Sequence, residues 1–186
     1  MNIVFPSNFY LQFRAPNAKK LIDTINSYED KLIDNSRFKW GDACSSDKIP
    51  LKLEDFLPLL KPSIDLFAKK LEVTFNYTLC NPWINLYKKG DFQEIHDHVS
   101  QDFACVFFAN DGENFAQFYF ADRNSTALTR GAKVLLKYKY HHFLRFNVGD
   151  IIFFPSHLLH GVTPHRSDII RKTLAFNFDI KHHYIP

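Results

Sequence analysis

Apolar residues alternate with polar ones at Phe9, Leu11 and Phe13, a period of two that predicts a strand. The period then lengthens: Leu21, Ile25, Tyr28 and Leu32 recur at i, i+4, i+7 and i+11, one face of a helix, with Asn17 placed to cap it. Residues 35–50 are rich in Asn, Ser, Gly, Asp and Pro and read as loop. After Pro62, Ile64, Phe67, Ala68 and Leu71 form one apolar stripe, so a second helix is expected to begin there. From Val73 the chain turns to Phe, Tyr, Val and Ile. Strands are expected over 73–80, 82–88, 94–99, 102–109, 115–121, 133–139, 150–154 and 171–180, broken by KKGD, NDGEN, DRNS and NVGD turns. That spacing predicts an antiparallel sandwich or barrel, and helices ahead of it make the fold class α+β. No repeat or linker divides the chain. A single domain over 1–186 is expected, with a helical prelude over 1–72, a β core over 73–180, and Asp122–Gly131 as the mobile loop.

Composition narrows the class. A chain of 186 residues with 46% hydrophobic content can bury one substantial core. The formal net charge of +3 comes from interspersed signs, and only Lys133–Arg145 is locally basic, so a nucleic-acid partner is not expected. The longest apolar runs, Phe103–Ala109 and Ile151–Val162, fall short of the roughly 18 residues that span a bilayer, so no membrane partner is expected either. The start, MNIVFPSNFYLQF, has no basic segment leading into a continuous apolar one, which makes the cytoplasm the expected address. Cys44, Cys80 and Cys105 are widely spaced without a CxxC and read as reduced thiols.

The candidate chemistry lies in the histidines. All nine fall between His96 and His183. In a strand, residues two apart share a face, so His96 and His98 can reach one metal ion while Asp97 points away. His160, just after the apolar run Ile151–Phe154 and the Pro155-Ser156 turn, is the best placed third ligand. Three neutral imidazoles suit iron(II), zinc, copper or nickel, and not calcium or magnesium. His141, His142, His182 and His183 have no such context and are expected at the surface, whereas His157 and His165 neighbour the third ligand. Taken alone, an H-x-H pair is more often an accident of sequence than a metal site.

The flanking segments add to it. Trp83-Ile-Asn85-Leu-Tyr87-Lys-Lys-Gly90 leads into His96-Asp-His98, and Gly149-Asp-Ile-Ile-Phe-Phe-Pro155-Ser-His-Leu-Leu-His160-Gly-Val-Thr-Pro164 is followed by Arg171-Lys-Thr173. Together they resemble the two halves of the site in 2-oxoglutarate- and iron(II)-dependent oxygenases of the prolyl 4-hydroxylase-like group. The pattern is most similar to an oxygenase subfamily common in marine phages and bacteria, which would mean the host cytoplasm if phage-encoded. The resemblance covers about residues 82–179. It implies a double-stranded β-helix, a jelly-roll or cupin-like barrel with the N-terminal helices packed on one sheet. It also implies Fe(II) held by His96, His98 and His160, with no catalytic side chain beyond these ligands. The cosubstrate would be 2-oxoglutarate, its distal carboxylate on Arg171. Oxidation of the cosubstrate by dioxygen to succinate and carbon dioxide would be coupled to hydroxylation of a C–H bond in a small-molecule or peptidyl substrate.

Strand alternation is compatible with these roles. Over 171–180, Leu174, Phe176, Phe178 and Ile180 share one face, and Arg171, Thr173, Ala175, Asn177 and Asp179 the other. Arg171 offers a planar fork for a carboxylate and Thr173 a hydroxyl on the same side. Trp83, Asn85 and Tyr87 likewise share a face, from which Asn85 and Tyr87 could bond the cosubstrate. Asp102, Asn177 and Trp83 are candidates for the surrounding shell or the substrate pocket. One departure stands out: the usual triad is His-x-Asp/Glu…His, and His98 occupies the carboxylate's place. Such a set would also suit zinc, and Asp97 could replace His98 only through a bulge. The competing readings are a cupin that does not use 2-oxoglutarate, with Gly90, His96, His98 and Asp102 as its first motif, and a non-catalytic binding module on the same barrel.

Overall fold

Two antiparallel sheets make up the body of the protein in the computed structural model, which describes residues 8–31, 44–80, 82–123 and 127–184. The elements run β1 (Leu11–Arg14), α1 (Ala18–Lys31), β2 (Asp47–Pro50), α2 (Leu53–Leu71), β3 (Thr74–Leu79), β4 (Trp83–Tyr87), β5 (Gln93–His96), β6 (Phe103–Phe108), β7 (Phe118–Ala121), α3 (Arg130–Leu135), β8 (His141–Phe143), β9 (Asp150–Pro155), β10 (His160–Val162) and β11 (Arg171–Tyr184). The larger, seven-stranded sheet has the order β1-β9-β6-β11-β4-β2, with β3 on the distal part of β11; the four-stranded sheet has the order β5-β10-β7-β8. Both sheets are open, and they face each other as the two layers of a double-stranded β-helix.

The larger sheet is buried on both faces. Leu174, Phe176 and Phe178 of β11, with Phe107 of β6 and Phe153 of β9, join Leu21 and Ile25 of α1 and Phe56, Leu60, Ile64 and Phe67 of α2 in one core cluster. Phe67 stacks on Phe153 at 4.6 Å between ring centroids and meets Phe103 edge-on at 5.1 Å. The opposite face packs Phe108, Ile152 and Phe154 against Phe118 and Phe120 of the smaller sheet. This double burial explains why β9, Asp-Ile-Ile-Phe-Phe-Pro, is buried along its whole length instead of alternating.

Several expectations change. Residues 47–50 form β2, paired with β4, where loop was expected; residues 32–43, Leu32 included, lie outside the described residues. Helix α2 begins at Leu53, well before Pro62, and contains both Pro58 and Pro62. Its buried positions Phe56, Leu59, Leu60, Ser63, Ile64 and Phe67 keep a helical face throughout, while Glu54 and Pro58, whose carbonyls lose an N–H partner, are exposed to water. Asn17 does not cap α1 with its side chain: its amide donates to the Leu59 carbonyl of α2 at 2.8 Å. The strand expected over 133–139 is instead the end of α3, capped by Thr129, and none of that helix is buried. The loop expected over Asp122–Gly131 therefore ends in α3, and its residues 124–126 lie outside the described residues. Strands β8 and β10, three residues each, are too short to show a period. Among the described residues no helix is long and apolar enough to cross a membrane.

Candidate active site

The pairing of β5 with β10 sets His96 directly opposite His160. His98 lies two residues past the end of β5, not within the strand. Its backbone N–H donates to the Ser156 carbonyl at 2.8 Å, which keeps the segment extended and returns the imidazole to the side of His96. One ring nitrogen from each of His96, His98 and His160 lies within 4.8 Å of the others. The Nδ1 atoms of His96 and His160 lie 2.8 Å from the Glu94 and Leu158 carbonyls. A carbonyl only accepts, so each ring holds its proton on Nδ1 and leaves the Nε2 lone pair for a ligand. Burial, and then repulsion from the neighbouring imidazole, pushes His98 down to about 4. The same two causes hold His160 well below the usual imidazole range, and burial lowers His96. The cluster is therefore neutral near pH 7, the form in which imidazole binds a metal.

Asp97, between two of these histidines, turns away and pairs with Arg123. Asp102 is exposed and outside the cavity: its carboxylate accepts from the Ile180 N–H at 2.7 Å, tying the start of β6 to β11. The structure does not bring it into the candidate site. Of the other histidines, His141, His142 and His157 are exposed. His165 is buried with both ring nitrogens bonded to backbone, Nδ1 accepting from Ala116 and Nε2 meeting the Ile169 carbonyl. The side chains of His182 and His183 lie outside the described residues.

The histidine cluster opens onto a cavity between the sheets that is also lined by Arg171, Thr173, Tyr87, Asn85, Trp83 and Asn177. The register of β4 on β11 places Tyr87 opposite Arg171 and Asn85 opposite Thr173. Arg171 is 1% exposed, and none of its three guanidinium nitrogens has a hydrogen-bond partner among the described residues. Its guanidinium lies over the Tyr87 ring, 4.9 Å from the centroid. A cation–π contact contributes about 0.5–2 kcal/mol, whereas burying an ion costs several kcal/mol. The stacking does not offset the burial, so the pocket is built for an anion. Burial, opposed by Arg171, pushes the Tyr87 phenol up to about 12, so it remains a neutral hydroxyl. The Oδ1 of Asn177 is buried and likewise has no partner among the described residues.

Two polar cavity residues went unforeseen, Lys48 and Gln93. Lys48 is 2% exposed on β2, and its Nζ donates to Asn85 Oδ1 at 2.9 Å. Burial lowers its pKa. The segment Asp47-Lys-Ile-Pro50 has no alternation of polar and apolar positions, so inside an apparent loop it gave no strand signal.

A double-stranded β-helix with a three-imidazole cluster facing a buried, unpaired arginine defines a metal- and anion-binding protein of the oxygenase type. The sequence model of the family described as "Putative 2OG-Fe(II) oxygenase" matches residues 81–177, just over half of the chain. The chain belongs to this family of 2-oxoglutarate- and iron(II)-dependent enzymes, and its cofactors are Fe(II) and 2-oxoglutarate. Comparison with curated proteins gives no match. Among solved structures it is similar to a Pseudomonas putida prolyl-4-hydroxylase, at TM-score 0.66 and 12% identity, covering 93% of each chain. It is similar to HygX from Streptomyces hygroscopicus with nickel, 2-oxoglutarate and hygromycin B bound, at TM-score 0.68 and 13% identity, covering 95% of this chain and 84% of that one. A third is the viral collagen prolyl hydroxylase of Paramecium Bursaria Chlorella virus-1, at TM-score 0.60 and 14% identity, covering 98% and 99%. At these identities the likeness establishes the fold. The residues present fit both groups: neutral imidazoles for the metal and an unpaired guanidinium for the cosubstrate.

Proposed function

We propose that this enzyme hydroxylates a C–H bond of a small-molecule or peptidyl substrate, with His96, His98 and His160 holding Fe(II) and Arg171 anchoring 2-oxoglutarate. The observation that carries the reading is Arg171, a buried cation with unmet donors in the same cavity as three neutral imidazoles. When bound, the metal and cosubstrate would activate dioxygen, the oxidant: one of its oxygen atoms would enter the substrate as a hydroxyl and the other would enter succinate as the cosubstrate loses carbon dioxide. The protein's part is placement. Arg171 takes the distal carboxylate, Thr173 and Tyr87 lie beside it as hydroxyl donors, and Asn85 and Trp83 line the wall towards the metal. Phe118 and Phe154, with rings 5.5 and 4.9 Å from that of His160, keep water from the metal side of the cavity. Asn177, with an unpartnered Oδ1, is a further contact for cosubstrate or substrate. The same reading treats residues 1–186 as one oxygenase domain, supported by β1 and β2 being strands of the larger sheet. It places the protein in the cytoplasm, which the free thiols of Cys44, Cys80 and Cys105 support.

The test is succinate release from 2-oxoglutarate without added substrate, measured for wild type and Arg171→Leu. The variant should need roughly 100-fold more 2-oxoglutarate, the scale expected when one partner of a buried charge pair is truncated. It should bind iron(II) as before. In the absence of ligands it should melt no lower than wild type, because an unpaired buried charge has been replaced by an apolar group. Loss of iron from Arg171→Leu would make the residue structural and overturn its role as anchor.

A further inference from the structure

Three side chains of the cavity form one row across the larger sheet. The register puts Lys48 of β2 opposite Asn85 of β4, and Asn85 opposite Thr173 of β11. The hydrogen bonds along this row have a fixed direction. An ammonium carries three N–H donors and no acceptor, and an indole N–H only donates. Lys48 Nζ and Trp83 Nε1 meet the same Asn85 atom, at 2.9 and 3.1 Å, so that atom must be the carbonyl oxygen. The Asn85 amide nitrogen is thereby turned towards Thr173 and donates to its Oγ1 at 3.2 Å. Having accepted there, the Thr173 hydroxyl has its own proton to donate into the cavity, two residues from Arg171 on the same face of β11. Lys48 is held in place by further contacts to Cys44 Sγ at 3.2 Å and Gln93 Oε1 at 3.4 Å, the latter on the strand that carries His96.

We propose that Lys48 is a positioning residue: acting through Asn85, it sets the Thr173 hydroxyl as a donor beside Arg171, so that this end of the pocket offers donors only and selects a carboxylate. The inference rests on the reading of Arg171 as the cosubstrate anchor. It accounts for a buried lysine that metal binding does not require. It also assigns Asn85 a relaying role in place of direct contact with the distal carboxylate. A cosubstrate with an amide in place of that carboxylate would bring its own N–H groups against Thr173 and Arg171 and be rejected.

The experiment is calorimetric binding of 2-oxoglutarate to the nickel(II)-loaded protein, a readout independent of turnover, in a double-mutant cycle of Lys48→Met and Thr173→Val. Thr173→Val should weaken binding about 10-fold, Lys48→Met about 3- to 10-fold, and the double variant no further than Thr173→Val alone. Lys48→Arg, which keeps a donor, should recover part of the loss. Effects that multiply in the double variant would mean that Lys48 acts by its charge alone and would overturn the proposal, as would unchanged binding in Lys48→Met. Should Lys48→Met fail to fold, Asn85→Asp supplies the same cycle, since its carboxylate keeps a partner in Lys48 and claims the Thr173 proton. It should weaken binding at least 10-fold, and appreciably less in the Thr173→Val background; an equal loss in both backgrounds would overturn the proposal. Arg171→Leu serves as the control. Wild-type affinity in that variant would remove the anchor reading itself, whereas lost affinity combined with multiplying Lys48 and Thr173 effects would remove only the positioning role.

Discussion

At the scale of single residues the proposed metal site departs from the usual pattern, because His98 stands where this class of enzyme usually carries a carboxylate. The structure gives the two candidates different surroundings. His98 contributes a ring nitrogen to the cluster, whereas Asp97 points away and is engaged by Arg123. His98→Ala should therefore lower iron(II) affinity by at least about 100-fold, beyond the 10- to 100-fold typical of losing an outer partner of a ligand. Asp97→Ala should change it by less than about 3-fold. Equilibrium titration against a competing chelator measures both, and the reverse ranking would mean that the segment rearranges on metal binding to bring Asp97 inward. The three clustered histidines were legible in the sequence because two of them are two apart and the third follows an apolar run. Lys48 was not, because its role depends on which strand pairs with β2, and a local pattern carries no information about a partner 37 residues away. Asp102 misled for the converse reason: its distance in sequence from His98 suggested proximity to the site, while its carboxylate is taken up by the Ile180 backbone.

At the scale of elements, the pair β5–β10 sets the distance between His96 and His160. It is short, and its register shifts between His160 and Val162. Gly161 sits in the middle of β10 with its α-carbon against the neighbouring strands. A β-carbon there would lie 2.7 Å from the Tyr119 hydroxyl and 3.1 Å from the Gln93 carbonyl. The Tyr119 ring can swing aside, but the Gln93 backbone cannot move without carrying β5 along. Gly161→Ala should cost about 1–3 kcal/mol, the usual range for overpacking, and should also weaken metal binding by shifting His96 relative to His160. Chemical denaturation and metal titration read the two effects separately, and lost stability with unchanged metal affinity would mean that β10 yields without moving β5. Strand β11 was readable from its alternation and β6, Phe-Ala-Cys-Val-Phe-Phe, from its unbroken apolar run. By contrast α3 resembled a strand because Val134, Leu135 and Leu136 form an apolar run without period, all three of them exposed. The start of α2 was hidden by Pro58 and Pro62, which usually break a helix; here the carbonyls they leave unbonded, those of Glu54 and Pro58, belong to exposed residues.

At the scale of the molecule, the larger sheet separates two tasks. One face is packed against α1 and α2 by aromatic side chains, and the other carries Arg171, Thr173, Asn85 and Tyr87 into the cavity. Because successive residues of a strand face opposite ways, Arg171 and Thr173 of β11 belong to the cavity while Leu174 and Phe176 belong to the helix side. Stability and binding should then respond to different substitutions. Phe67 is the sharpest case, fully buried and in ring contact with Phe75, Phe103, Phe153 and Phe178, with no place in the cavity. Phe67→Ala should destabilise the fold by about 3–5 kcal/mol, which for a chain of this size lowers the melting temperature by roughly 6–20 °C. At temperatures where the variant is still folded, its affinities for metal and 2-oxoglutarate should stay within about 3-fold of wild type. Saturating both ligands should raise its melting temperature by an increment similar to that in wild type, since ligand binding to the native state adds stability by mass action whatever the starting value. If affinity instead fell along with stability, the sheet would be passing strain from its helix face to its cavity face, and the spacing of Arg171 from the histidines would depend on how tightly α2 is packed.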